Sequence, residues 1–163
     1  MARKIAISSI FATLALIFSY IERMIPIDIA VPGVKLGLSN IIVIIVLYTL
    51  GTKYALGINV FRIFVGGLLF SGVFGMVYAL GGGLLSFLVM YLLKKTNLFS
   101  LVGVSMAGGV FHNIGQILMA TLIISNVKLM LYMPILILSG IASGIIIGVL
   151  AYNLIKPLKK VLA

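Results

Sequence analysis

Residues 134–155 read PILILSGIASGIIIGVLAYNLI, 22 residues without one charge. A bilayer core about 30 Å thick is crossed by about 20 helical residues, so this run predicts a membrane-spanning helix. Pro134 suits the first turn of that helix, where its missing N–H costs nothing. Working back along the chain, similar runs occupy roughly 4–24, 36–50, 53–70, 73–93 and 99–124, separated by charges, Pro, Gly or Asn. The expectation is an all-α integral membrane protein, a six-transmembrane-helix bundle in one domain over 1–163, with five or seven spans as alternative counts. The second run is short for a full crossing, so little tilt, shielding by neighbours or extension into the preceding loop is expected.

The composition agrees. Apolar residues make up 63% of the 163 and charged residues 9%. An ordinary soluble domain is about 45–50% apolar and about 25% charged. A soluble enzyme, a nucleic-acid-binding domain and a disordered tail are excluded on this ground. The net charge of +10 would suggest nucleic acid in a soluble chain. In a membrane protein, basic residues mark the cytoplasmic ends of spans. With the N-terminus inside, Arg3, Lys4, Lys53, Lys94, Lys95, Lys156, Lys159 and Lys160 fall in the cytoplasm, and Arg23, Lys35 and Lys128 outside. Eight against three predicts N-in, C-in orientation in the cytoplasmic membrane. The first span begins like a signal peptide, but it ends in Glu22-Arg23-Met24-Ile25-Pro26 with no small-residue cleavage site, so it is expected to be retained.

Chemically informative residues are scarce. Only Glu22 and Asp28 carry carboxylates, Cys is absent and His112 is the one histidine. Thiolate chemistry and Cys/His zinc sites are excluded. Prenyl transfer with Mg²⁺ needs clustered carboxylates, and none are clustered here. There is no Walker-type Gly-Lys-Ser/Thr sequence. A Ser/His/Asp arrangement would need Asp28 to descend through half the membrane to His112. No catalytic residue, metal site or cofactor is expected.

Glycines concentrate inside the predicted helices. Gly140, Gly144 and Gly148 form a stripe on the sixth, and Gly81-Gly82-Gly83 interrupts the fourth. In lipid, helices associate by close packing, which small residues permit. Local unwinding at Gly81–Gly83 to line a cavity is the rarer reading. On the first helix, Ala2 and Ala6 are four apart and form a small-residue face, either for packing or for a partner membrane protein.

Polar groups at membrane depth are functional candidates, because they are costly there. Arg62 lies near the middle of the third span, about 13 Å deep at 1.5 Å per residue. No acid is expected at that depth, so carbonyls, water or an anionic ligand must meet it. Asn59 precedes it by three residues on a related face. On the fifth span, His112 and Gln116 are four apart and share a face, with Asn113 beside them. Ser39 and Asn40 lie one turn inside the second span, with Lys35 at its mouth. Lys35, Asn40, Asn59, Arg62, His112, Asn113 and Gln116 could therefore line one basic, donor-rich, outward-facing cavity suited to a carboxylate or phosphate. Interhelical hydrogen bonding is the plain structural reading of the same residues.

The stretches Pro32-Gly33-Val34-Lys35-Leu36-Gly37-Leu38-Ser39-Asn40, Asn59-x2-Arg62 leading into Gly66-Gly67, Gly81-Gly82-Gly83-Leu84-Leu85-Ser86 and Gly103 to Gln116 resemble the family named heptaprenyl diphosphate synthase component I, also called the Gx transporter family. More distantly the chain is similar to the substrate-binding S components of energy-coupling factor (ECF) transporters. That likeness implies a six-helix protein with a ligand pocket near the outer side. It also implies docking on a transmembrane coupling subunit driven by ATPases, often through an Ala-x3-Ala pattern, which Ala2 and Ala6 match. The synthase name implies instead a non-catalytic subunit partnering a prenyl synthase. The partners expected are thus the lipid bilayer, a small-molecule ligand and one of these two protein assemblies, with no nucleic acid. A membrane scaffold without a ligand is the third reading.

Overall fold

The computed structural model describes residues 2–24 and 37–162. Lys35, Asp28 and the first external loop lie outside the described residues. Six α-helical segments follow one another: α1 (Ala2–Met24), α2 (Leu38–Thr49), α3 (Thr52–Gly66), α4 (Gly72–Thr96), α5 (Leu101–Ile124) and α6 (Met133–Leu162). A π-helical turn, Gly67–Ser71, joins α3 to α4, and a 3₁₀ turn, Val127–Tyr132, precedes α6. No strand occurs among the described residues.

Four helical stretches are long and apolar enough to cross a bilayer: Ala2–Met24, Thr52–Thr96, Leu101–Ile124 and Val127–Val161. Large apolar side chains such as Leu68, Leu122 and Leu131 are exposed along them, as a lipid-facing surface requires. The chain is therefore a multi-pass, all-helical membrane protein. The expected count of six crossings is not reproduced by this measure, for two physical reasons. First, α2 has only 12 residues, about 18 Å of helix. Second, α3 and α4 run on through the π turn as one helical stretch of 45 residues.

That stretch folds back on itself. Asn59 Nδ2 donates to the Gly83 carbonyl at 2.9 Å. In a straight helix, 24 residues would separate them by about 36 Å. The reversal falls at Gly72, whose φ of 68° is left-handed and favours glycine.

The shortness of α2 has its explanation in burial. Ile41, Ile42, Val43, Ile44, Ile45, Val46 and Leu47 are all buried, and they form the centre of the core. A helix apolar on every side is an interior helix. It packs against α1, α3 and α6, so its ends meet protein instead of lipid. Its last turn leaves carbonyls without intrahelical partners. Lys94, from the end of α4, donates to the Leu47 carbonyl and lies 4.9 Å from the Tyr48 ring centre.

Glycines set the approach of α4, α5 and α6. A Cβ on Gly115 would lie 2.5 Å from the Gly81 carbonyl oxygen. One on Gly140 would lie 2.8 Å from the Gly109 oxygen, and one on Gly144 2.6 Å from Met106 Cα. The α6 stripe thus lies directly on the α5 backbone. Gly81–Gly83 stay helical, and the unwinding considered from the sequence does not occur. Helix α6 also runs past its expected end at residue 155, to Leu162, with Pro157 inside it. Ile155 is buried and Leu158 packs on the core, which offsets the hydrogen bond that proline forgoes. Lys159 and Lys160 in the last turn suit the negative end of the helix dipole.

Candidate functional site

Arg62 sits inside the bundle, 7% exposed. Asn59, three residues earlier on α3, shares its face. The Asn59 amide is oriented by donating to the Gly83 carbonyl of α4, which turns its oxygen toward Arg62. That oxygen accepts from Arg62 Nε at 3.1 Å and from Nη2 at 2.8 Å. Two residues in the first turn of α2 complete the cradle. Asn40 Oδ1 accepts from Nη2 at 2.7 Å, and Ser39 Oγ accepts from Nη1. Three neutral oxygens therefore hold one buried cation. No carboxylate hydrogen-bonds it among the described residues.

One acid does act on it at longer range. Glu22, at the end of α1, accepts from the Gly37 backbone N–H, immediately before α2. Its negative charge attracts Arg62 through space. Glu22 stands at the mouth of α2, so the guanidinium itself meets only neutral oxygens among the described residues. The carboxylate also sits at the positive end of the α2 dipole, where it stabilises. Gly37 has φ 69°, and its carbonyl accepts from the Asn40 N–H at 2.8 Å to close the first turn. Glu22, the α2 start, Arg62, Asn59 and Gly83 thus form one polar path across four helices. Replacing Glu22 by Ala leaves the Gly37 N–H without its acceptor and removes that field. Stability is expected to fall by about 1–3 kcal/mol, readable as a lower thermal midpoint of the purified protein in detergent.

Asn40 also faces a cavity between α2, α4, α5 and α6. Its polar wall comprises Asn40, Ser86, Ser105, His112, Asn113 and Ser143, and its volume is about 20 Å³. That is room for about one water molecule. Ser86 is 2% exposed, and its Oγ has no hydrogen-bond partner among the described residues.

The residues singled out from the sequence divide as follows. Asn40, Asn59 and Arg62 come together directly. His112 and Asn113 share the cavity wall with Asn40. The Asn113 amide is also engaged with α6, donating to the Leu136 carbonyl at 2.7 Å and Ser139 Oγ at 3.1 Å. Gln116 does not line the cavity, and its stem packs over Gly82 of α4. Lys35 falls outside the described residues. Ala2 and Ala6 lie exposed at the start of α1. Sequence reasoning placed Ser39 beside Asn40 without seeing it as a partner of Arg62. It assigned no site role to Ser86, Ser105 or Ser143, because a lone serine in an apolar helix reads as a packing residue. Only their convergence from three helices sets them apart.

Chemically, the cradle is a buried guanidinium whose acceptors are all neutral oxygens. A carboxylate or phosphate oxygen carries charge and can take a guanidinium bidentately, which an amide or hydroxyl oxygen cannot.

These features define a class: a multi-pass helical membrane protein with a buried arginine centre beside a small, largely apolar cavity that carries a few polar side chains. The family model described as heptaprenyl diphosphate synthase component I matches residues 11–154, and the chain belongs to that family. No curated protein and no solved structure matches the chain.

Proposed function

We propose that this chain is a membrane substrate-binding and translocation protein of the S-component type, taking a small anionic or amphipathic molecule. In this reading the chain crosses the cytoplasmic membrane six times with both ends inside. The eight-to-three distribution of basic residues supports that orientation. Arg62 anchors the anion, and Asn40 and Asn59 exchange hydrogen bonds with it. His112 and Asn113 contact the remainder of the ligand, and Lys35 draws the anion to the outer mouth. Gln116 follows as a support of the α4–α5 contact. The observation that carries the reading is the buried Arg62 charge, hydrogen-bonded by neutral oxygens alone and linked through Asn40 to a small cavity.

Admission of a ligand requires movement, because about 20 Å³ is too small for one. The first turn of α2 is the element that must yield, since Ser39 and Asn40 cover the guanidinium. Without a nucleotide-binding sequence, energy for transport comes from a coupling subunit with ATPases, with Ala2 and Ala6 at the contact. The test is mass spectrometry of small molecules that co-purify with wild type and with Arg62→Ala. An acidic amphiphile present on wild type and missing from the variant supports the reading. The same compounds on both proteins refute it.

The family description supports a second reading, that of a non-catalytic membrane subunit of a prenyl diphosphate synthase. A prenyl diphosphate is itself an amphipathic anion, so the Arg62 centre serves either role. Dependence of a soluble prenyl synthase's activity on this chain separates the two.

A further inference from the structure

A second concentration of charge lies at the opposite end of α2 from Glu22. Arg3 Nη2 donates to the Val161 carbonyl at 3.1 Å, which brings the start of α1 to the end of α6. Lys94 binds the α2 terminus through the Leu47 carbonyl and the Tyr48 ring. Lys159 stands close enough to Lys94 to repel it. Exposed Lys95, Lys156 and Lys160 lie in the same helix ends, and no acid occurs among the described residues there. Nothing in the described chain thus offsets this concentration of positive charge.

The surroundings indicate what relieves it. Ile5, Tyr152 and Val161 are 61%, 65% and 71% exposed, so the apolar lipid-facing surface runs directly into the cluster. Helix α6 has 30 residues, about 45 Å, against a hydrocarbon core of about 30 Å. Its basic end therefore reaches headgroup depth. Basic pockets between helix ends at that depth recognise phosphate headgroups. An acidic protein would meet the cations but would leave the adjoining apolar side chains in lipid.

We propose that the basic patch at this end of the bundle, carried by Lys94 at the end of α4, Lys159 at the end of α6 and Arg3 at the start of α1, binds the headgroup of an anionic phospholipid. A headgroup with two phosphates fits it better than one with a single phosphate, because two neighbouring cations are to be neutralised.

The experiment follows the thermal midpoint of the full chain in neutral detergent. Cardiolipin, phosphatidylglycerol, phosphatidylcholine or poly-glutamate is added to wild type, Lys159→Gln, Lys156→Gln and Lys128→Gln. Cardiolipin is expected to raise the wild-type midpoint by at least about 5 °C at saturation, phosphatidylglycerol by less, and phosphatidylcholine by nothing. Lys128→Gln, at the other end of the bundle, keeps the full response. Lys159→Gln starts from an unchanged or higher midpoint, because repulsion is relieved, and loses at least half of the response. Should Lys159→Gln not fold, Lys156→Gln is expected to show a smaller loss. Equal midpoints in cardiolipin and phosphatidylcholine overturn the proposal. So does a full response in both lysine variants of α6, or an equal shift from poly-glutamate, which has no apolar tail.

Discussion

Gly144→Leu is expected to abolish the folded bundle. A Cβ at this position meets Met106 Cα at 2.6 Å, the Ser105 carbonyl oxygen at 2.8 Å and Met106 N at 3.1 Å. These are backbone atoms of a helix, so no rotamer change relieves the overlap. The helices must part, and the contacts of Gly140 on Gly109 and of Gly148 on Val102 are lost together. In lipid, separated apolar faces are solvated by acyl chains, so nothing drives them back together except packing. A loss above about 4 kcal/mol is expected, the range reserved for severe overpacking and broken networks. Size-exclusion chromatography should show aggregate in place of a single peak. Gly57→Leu is the control: a Cβ there meets nothing within 4 Å, and leucine has the better helix propensity. It should purify as wild type does. A Gly144→Leu protein that behaves like Gly57→Leu would refute the packing described for α5 and α6.

Arg62→Ala is the second large effect, and it divides into two parts. The apo protein loses four N–H donors, which leaves the oxygens of Ser39, Asn40 and Asn59 buried without their partner. It also loses the cost of burying a cation, which opposes the first term. A net destabilisation of about 2–4 kcal/mol is expected, since three acceptors go unsatisfied at once. The ligand response, by contrast, should vanish entirely. Arg62→Lys should restore the charge without the fork. One ammonium does not reproduce the planar spread of donors to α2 and α3, so binding should recover only in part.

Much of this was legible beforehand, for reasons of scale. Charge-free runs of about 20 residues mark membrane spans at any contact geometry, so the class followed from residues 134–155 and their counterparts. The pairing of Asn59 with Arg62 is a local helical spacing. The Gly140–Gly144–Gly148 stripe is another. What escaped depends on contacts between distant residues. Glu22 reaches Gly37 across 15 residues of chain, and spacing alone does not say where a loop returns. The shortness of α2 already points to shielding by neighbours, but not to which helices supply it, α1, α3 and α6. Gln116 shares a face with His112, yet the close approach at Gly82 draws its stem against α4. The end of α6 was misjudged because Lys156 and Pro157 read as a stop, whereas Leu158 still has core to cover.

The most direct test of the Arg62 centre is ligand-dependent thermal stabilisation of wild type against Arg62→Ala. The purified proteins are heated with a panel of amphipathic carboxylates, phosphate esters and prenyl diphosphates. At least one acid is expected to raise the wild-type midpoint by about 5 °C or more at 100 times its Kd, and to leave Arg62→Ala unmoved. An equal shift in both proteins, or no shift in wild type from any anion of the panel, would contradict a role for Arg62 as the anchor of an anionic ligand.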